Sequence, residues 1–270
     1  MALQDGDDRA LRKPARRFSL RRPILGLRTR ALIGRALDWI YPPQALDGGA
    51  RPLSGGLSAQ AWSRIHFIAD PLCDGCGAPF EFDPGARCAA CQSRPRAFGR
   101  ARAAVIYDEA SRDLILQFKH ADRLDLAPLL AGWIGRSAAE LIAEADAIAP
   151  VPLHPLRLMR RRYNQAAEIA RPLARQHGLT YLPDALILKR ATGTQGGKSG
   201  SGRRRNVAGA FVVPKGREKQ VAGRRILLID DVLTTGATAE ACAKAFLQAG
   251  AACVDLAVVA RVREADPGAI

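Results

Sequence analysis

The chain has 270 residues, of which 48% are hydrophobic, so it can bury a packed core and is not wholly disordered. It contains no run of 18 uninterrupted apolar residues, which excludes a typical membrane-spanning helix. Lys and Arg number 41 against 26 Asp and Glu, a net charge of +15 that is concentrated in two segments. Residues 1–37 carry +7, residues 189–225 carry +10, and the remainder sums to −2. We therefore expect a nearly neutral globular body with two cationic segments.

The first cationic segment lacks an apolar stretch long enough for a secretory signal, because Arg28, Arg30 and Arg35 interrupt each candidate. We expect a mobile tail over residues 1–37 that leads into a short helix near Leu32–Ile40. The alternative is a contact between this tail and nucleic acid or anionic lipid. The absence of an export signal predicts a cytoplasmic protein with reduced cysteines.

Four of the six cysteines form two C-x2-C pairs, Cys73 with Cys76 and Cys88 with Cys91. Each pair can wrap a tight turn that points two thiolates at one ion, and two such turns complete a tetrahedral site. Because cysteines fill all four positions, the ion is expected to be structural. Zinc is favoured over three alternatives: an iron–sulfur cluster, a pair of exposed redox dithiols, and a relic that no longer loads metal.

After the cysteines, the hydrophobic pattern alternates between strands and helices. Strands are predicted at Ala103–Tyr107 and Asp146–Val151, and helices at Leu114–His120, at Leu126–Ala145 and ending near Gln176. Such alternation predicts an α/β fold with a parallel sheet flanked by helices.

Two polar segments follow the second predicted strand. Four arginines, Arg157 and Arg160–Arg162, suit an anion the size of a diphosphate, although some of them would only solvate the start of the next helix. Residues 189–209 are rich in glycine and hold almost no apolar side chain before Val207. We expect this segment to be a flexible loop.

The clearest pattern is a strand followed by two acids and a polar turn. Ile226–Ile229 is a continuous apolar run, typical of a parallel strand buried on both faces. Asp230 and Asp231 follow, at the end of the strand where ligands bind in open α/β sheets. Residues 234–238 precede a predicted helix over Ala239–Gln248, and the amides at a helix N-terminus can bind a phosphate. Carboxylates for ribose hydroxyls beside amides for a phosphate predict a ribose 5-phosphate site.

Residues 226–238 resemble, at every position, the phosphoribosyl pyrophosphate signature of type I phosphoribosyltransferases. The resemblance implies that Asp230 and Asp231 are the catalytic residues and hold the ribose of phosphoribosyl pyrophosphate, which is bound with Mg²⁺. It also implies that the loop after Asp146–Val151 holds the pyrophosphate and that residues 189–209 close over the site as a lid. The substrate-binding residues expected on this basis are Thr234, Thr235, Gly236, Ala237, Thr238, Pro152, Leu153, His154, Arg157 and Arg161.

The following segments taken together resemble the ComF family: the cysteine pairs, Pro150–His154, Arg161–Gln165, the pattern from Gln195 through Arg205–Val207 to Gly209–Phe211, and Leu227–Thr238. In that family a small zinc-ribbon region precedes a domain of the type I phosphoribosyltransferase fold. The resemblance extends from about residue 38 to residue 262. Family members commonly carry a further set of C-x2-C pairs after a Tyr-Pro-Pro element, whereas Tyr41–Pro43 is present here without those cysteines. We therefore expect one zinc ion rather than two.

The resemblance implies four parts: a basic tail (1–37), a zinc-ribbon region (38–98, with its cysteine ribbon at 73–91), a phosphoribosyltransferase domain (99–263) and a short tail (264–270). It implies two alternative functions. The first is a phosphoribosyltransferase that uses phosphoribosyl pyrophosphate and Mg²⁺. The second is a competence protein that acts on or near single-stranded DNA, with a non-catalytic ribose phosphate site and partners in the competence machinery. The motifs define neither the acceptor substrate nor the oligomeric state. Aromatic residues hardly occur in the basic segments, which counts against base stacking there.

Overall fold

A computed structural model of the protein describes residues 45–47, 56–82, 85–120, 123–153, 158–159, 161–189 and 209–263. All of them belong to one compact unit, Gln44–Ile270. Some of the predicted features lie outside the described residues: the tails 1–37 and 264–270, the helix near Leu32–Ile40, Tyr41–Pro43, His154, Arg157, and the loop 189–209 except its two end residues. Within the described part, no helix combines the length and apolar character needed to cross a membrane.

The described chain contains helices, strands and one 3-10 turn. In order they are α1 (Ala59–Arg64), α2 (Ala89–Ser93), β1 (Ala101–Ile106), α3 (Glu109–His120), a 3-10 turn (Leu124–Leu126), α4 (Ala127–Ser137), α5 (Ala139–Glu144), β2 (Ala147–Pro150), α6 (Gln165–His177), β3 (Thr180–Tyr181), β4 (Ile187–Leu188), β5 (Phe211–Val212), α7 (Glu218–Val221), β6 (Arg225–Leu233), α8 (Ala237–Gln248) and β7 (Cys253–Arg261).

Five strands form a parallel sheet in the order β1-β7-β6-β2-β3. Strands β4 and β5 form a separate antiparallel pair, with Leu188 opposite Phe211. The central strand β6 pairs with β2 on one side and β7 on the other. The predicted α/β fold with a parallel sheet flanked by helices is confirmed.

Two hydrophobic cores cover the two faces of the sheet. Leu227 and Ile229 of β6 belong to the core that contains α3, α4 and α6, and Ile226 and Leu228 belong to the core that contains α8. All four side chains are at most 1% exposed. Because successive side chains of a strand point to opposite faces, burial on both faces requires the continuous apolar run seen in the sequence.

Strand β6 is longer than its apolar run predicts. It continues to Leu233 because β7 keeps pairing with it, with Asp230 opposite Val258 and Leu233 opposite Arg261. Strand β2 ends earlier, where Pro150 pairs with Ile229. The two acids therefore lie within the strand, but beyond the point where β6 loses its β2 neighbour, and this side of the sheet is open to a ligand.

The single long helix predicted over Leu126–Ala145 is wrong. The chain forms α4 and α5 instead, separated at Ala138, where φ is −119° and ψ is 27°. Ala138 is fully buried, and the turn there brings Leu141 and Ile142 of α5 into the same core as α4. Tertiary packing therefore overrides a local sequence that contains neither glycine nor proline at the break.

The cysteine segment packs directly on the sheet. The Arg261 guanidinium at the end of β7 donates to the Cys76 carbonyl at 2.7 Å, and Arg102 of β1 forms an ion pair with Asp74 at 2.9 Å. Gly77 has a φ of +67°, and a Cβ there would lie 2.7 Å from the Ala101 carbonyl oxygen. Only glycine permits both this backbone conformation and this close approach. The turn that carries the first cysteine pair is therefore built against β1 and β7.

Candidate functional site

A cavity of about 220 Å³ lies where β2 and β6 end. This is the position at which parallel α/β sheets bind ligands. Six of the predicted site residues line it: Pro152, Leu153, Arg161, Asp230, Asp231 and Thr238. The remaining walls come from residues that were not predicted as substrate-binding: Lys119, Val151, Asn164, Gln165, Ala166, Leu188 and Phe211.

The two acids lie in different electrostatic environments. The Asp231 carboxylate forms an ion pair with the Lys119 ammonium at 2.8 Å, and both side chains are less than one-fifth exposed. Asp230 accepts a hydrogen bond from the backbone N–H of Asp231 at 2.9 Å. Burial, together with the negative charge of Asp231, raises the pKa of Asp230 to about 7. At neutral pH the pair can therefore gain or lose a proton at Asp230, and a cation or a hydroxyl donor would favour the charged form.

Lys119 was not predicted as a site residue. It lies near the end of α3, and its contact with Asp231 joins parts of the chain that are far apart in sequence. The sequence places a lysine near a helix end and contains no signal that this end faces β6. The ion pair offsets the charge of Asp231. Among the described residues, no cation lies at hydrogen-bond distance from Asp230.

Residues 234–238, here called the phosphate loop, lead from the end of β6 into the first turn of α8. Gly236 is the N-cap of α8 with a φ of +76°, a left-handed conformation that favours glycine. Helix α8 begins at Ala237 rather than at the predicted Ala239, so Ala237 and Thr238 belong to its first turn. First-turn amides have no acceptor within their own helix, which makes this end of α8 suitable for an anion.

The Arg161–Gln165 segment fastens the opposite wall of the cavity. The Asn164 side-chain amide donates to the Val151 carbonyl at 2.9 Å, and its oxygen caps α6 by accepting from the Ala166 N–H at 3.1 Å. The Tyr163 hydroxyl donates to the Phe118 carbonyl near the end of α3. These bonds hold the ends of β2, α3 and α6 together, so the segment shapes the site as well as lining it.

Among the described arginines of the basic cluster, Arg161 lines the cavity. Its guanidinium donates to the side-chain oxygen of Gln165 at 3.2 Å. A guanidinium has five N–H donors, so this bond orients the group and leaves donors for an anion. Arg161 is thus the described cation best placed for a ligand phosphate.

The four clustered cysteines meet the geometric requirement for zinc. Their sulfur atoms all lie within 4.8 Å of one another, and those of Cys76 and Cys88 are 3.8 Å apart. A tetrahedral ion with zinc–sulfur distances of about 2.3 Å requires sulfur separations of about 3.8 Å. Burial raises the pKa of Cys91 to about 11 and that of Cys76 further, so a bound cation is needed to keep these thiols ionised.

Two protein-family models match parts of this chain. A phosphoribosyl transferase domain model matches residues 164–267, and a double zinc ribbon domain model matches residues 36–92. The DNA utilization protein YhgH of Escherichia coli is 31% identical over 199 residues, which cover 72% of this chain and 86% of that protein. The chain belongs to the ComF family. Competence protein F of Haemophilus influenzae is 30% identical over 181 residues, covering 62% of this chain and 75% of that protein.

Membership of the ComF family supports a structural zinc site, because the double zinc ribbon match includes the four-cysteine cluster. Among solved structures, the glutamine phosphoribosylpyrophosphate amidotransferase of B. subtilis is similar over 50% of this chain and 26% of that chain, at 21% identity and a TM-score of 0.35. A likeness at that level supports no argument. The fold assignment depends on the domain matches and on the sheet topology.

The raised pKa of Asp230 predicts a pH-dependent gain in stability for Asp230→Asn. An unfolded Asp has a pKa of about 3.9, so the ionised side chain costs folding free energy that develops between about pH 4 and pH 7 and is complete above pH 7. If the variant removes about 1 kcal/mol of this cost, its Tm at pH 8 should rise by about 2–4 °C. The gain should shrink toward pH 5 in thermal unfolding followed by circular dichroism.

The exposed Asp113 supplies the control for this measurement. Asp113→Asn makes the same chemical change on the surface of α3 and should leave Tm nearly unchanged at both pH values. A Tm of Asp230→Asn below that of the wild type at pH 8 would contradict the assignment of Asp230 as a destabilising buried carboxyl.

Proposed function

We propose that this protein binds phosphoribosyl pyrophosphate with Mg²⁺ in the cavity at the ends of β2 and β6, and transfers the phosphoribosyl group to an acceptor. The main support is that Asp230 and Asp231 lie on the open side of β6, directly before a loop that ends at the N-terminus of a 12-residue helix. Carboxylates and helix-terminal amides in this order suit the hydroxyls and the 5-phosphate of one ribose phosphate.

Each part of the substrate has a proposed partner. Asp230 and Asp231 accept hydrogen bonds from the ribose hydroxyls, and the phosphate loop binds the 5-phosphate. Pro152, Leu153 and Arg161 bind the pyrophosphate, together with His154 and Arg157, which lie outside the described residues. Bound Mg²⁺ would neutralise part of the diphosphate charge.

The proposed chemistry is mainly electrostatic. The bond between ribose C1 and the pyrophosphate oxygen breaks with its electron pair leaving on the pyrophosphate, and the acceptor forms the new bond at C1. Donors fixed around the leaving oxygens stabilise the charge that develops there. The Arg161 guanidinium, oriented by Gln165, serves this purpose, and the carboxylates face the ribose as C1 becomes positive.

We further propose that this site serves DNA utilisation, as the names of the relatives suggest. Proteins called DNA utilization protein and Competence protein F match this chain over most of their own length. The second candidate function follows from the same names: a protein that acts on or near single-stranded DNA with a ribose phosphate site that does not turn over. The net charge of +15 favours contact with a polyanion.

Calorimetry tests the ligand. The wild type should bind phosphoribosyl pyrophosphate in the presence of Mg²⁺, and the Asp230→Asn/Asp231→Asn double variant should bind at least about tenfold more weakly, because it loses two charged acceptors. Asp113→Asn is the surface control and should bind like the wild type. No heat with the wild type would contradict the proposal. A screen of nucleobases for pyrophosphate release then distinguishes a transferase from a non-catalytic site.

Salt dependence tests the contact with DNA. If the cationic segments bind single-stranded DNA, the affinity should fall steeply between about 50 and 200 mM salt, since each neutralised phosphate releases a counterion. Fluorescence anisotropy with a labelled oligonucleotide measures this slope. Affinity that does not change with salt would remove the cationic segments from the DNA-binding role.

We propose one structural zinc ion per chain, bound by Cys73, Cys76, Cys88 and Cys91. Metal analysis of the purified protein should return about one equivalent, and a Cys88→Ser/Cys91→Ser variant should lose it because half of the ligands are gone. Cys253 is half-buried and lies outside the cluster, so Cys253→Ser should keep the metal. Two equivalents in the wild type would contradict a single-ribbon protein.

A further inference from the structure

One arginine extends from the cysteine region to the phosphate loop. Arg96 follows α2, the short helix that contains Cys91, and its side chain is only 14% exposed. Its guanidinium donates to the Thr235 carbonyl in the phosphate loop at 2.8 Å. The two residues are separated by 139 positions in the sequence. This bond therefore connects the cysteine region to the phosphate loop, although the two lie far apart in the sequence.

The bond fixes the orientation of one peptide unit in the loop. The Thr235 carbonyl and the Gly236 N–H belong to the same planar trans peptide and point in opposite directions. While the carbonyl faces Arg96, the Gly236 N–H must face away from it. Gly236 is also confined by the arginine, because a Cβ at this position would lie 3.1 Å from the guanidinium. Arg96 thus holds the loop in one conformation at the residue that caps α8.

Arg96 also offsets a negative charge at the phosphate end of α8. Glu240 lies buried in the first turn of that helix. Arg94, Arg96 and Lys244 surround its carboxylate, at 3.5, 3.8 and 3.5 Å. One oxygen of Glu240 has no hydrogen bond among the described residues, so the attraction of these cations is the compensation that it receives. Without Arg96, a less compensated carboxylate would lie where a phosphate is expected to bind.

The cysteine region gives Arg96 a fixed base. Cys88 is the N-cap of α2, and its backbone N–H donates to the Cys73 sulfur at 3.3 Å, so the start of the helix is tied to the cysteine cluster. Cys76 is in turn held to β7 by the bond from Arg261 to its carbonyl. Arg96 follows this anchored helix closely in the chain, so its guanidinium reaches the loop from a segment that is itself held in place.

We propose that Arg96 is a positioning residue that sets the affinity of the phosphate loop for a 5-phosphate. It acts by fixing the Thr235–Gly236 peptide and by balancing Glu240, and it transmits the rigidity of the cysteine cluster to the ligand site. The inference rests on the proposed function of the phosphate loop in binding a ribose phosphate. It predicts that loss of Arg96 lowers the affinity for the 5-phosphate but not the affinity for pyrophosphate, because the pyrophosphate is assigned to Pro152, Leu153 and Arg161.

The test compares Arg96→Ala with Arg94→Ala in the full-length, zinc-loaded protein. Both variants remove one cation beside Glu240, but only Arg96 bonds to the Thr235 carbonyl. Calorimetry with ribose 5-phosphate and, separately, with pyrophosphate and Mg²⁺ gives the two affinities. Arg96→Ala should bind ribose 5-phosphate about tenfold more weakly, with the pyrophosphate affinity within about twofold of the wild type. Arg94→Ala should change either affinity by less than about threefold.

Two results would overturn the proposal: an unchanged affinity of Arg96→Ala for ribose 5-phosphate, or an equal loss for both anions, which a general structural role would produce. If the wild type binds neither anion, the proposed function itself fails, and that outcome is distinct from either of these.

Glu240→Gln keeps Arg96 and tests the charge balance even if Arg96→Ala does not fold. It should strengthen ribose 5-phosphate binding severalfold, because a negative charge leaves the phosphate end of α8, and weaker binding would overturn the proposal.

Discussion

The site depends on two adjacent carboxylates at the point where β6 loses its β2 neighbour. Strand pairing with β7 fixes their backbone, and the end of β2 at Pro150 opens the space beside them. Lys119 compensates one charge, while burial leaves Asp230 with a pKa of about 7. A pocket that holds an incompletely compensated carboxylate is stabilised when a cation or several hydroxyl donors enter it, because they supply the interactions that water can no longer provide.

The features that the sequence predicted are those encoded within a few neighbouring residues. The apolar run of β6 requires burial on both faces, and the spacing of the four cysteines requires two metal-binding turns. Both patterns act over less than twenty residues. Lys119 and Arg96 are different, because their partners Asp231 and Thr235 lie more than a hundred residues away. Their roles follow from how α3 and the segment after α2 pack against the sheet, and no local sequence pattern predicts that packing.

The cysteine region and the sheet are joined by polar contacts and a close backbone approach. Arg261 ends a sheet strand and satisfies the Cys76 carbonyl, while Arg102 of β1 pairs with Asp74 between the first two cysteines. Gly77 allows the turn to approach the Ala101 backbone closely. A metal at the four sulfurs would therefore stabilise more than a peripheral ribbon, since the same turn is hydrogen-bonded to β1 and β7. The boundary proposed near residue 98 lies between segments that share these bonds.

The described residues at the two ends of the proposed ligand differ in what they offer it. At the phosphate loop, three cations, Arg94, Arg96 and Lys244, surround one buried glutamate, so that end combines backbone amides with a net positive charge. At the other end, Arg161 faces the cavity with a neutral glutamine as its partner, and its charge is not cancelled. Amides at a helix terminus select a phosphate by geometry, whereas the attraction of a cation acts on any anion and is weakened by salt. Selectivity for a ribose phosphate would then arise from the amides of α8, and cations at both ends of the site would attract a polyanionic ligand.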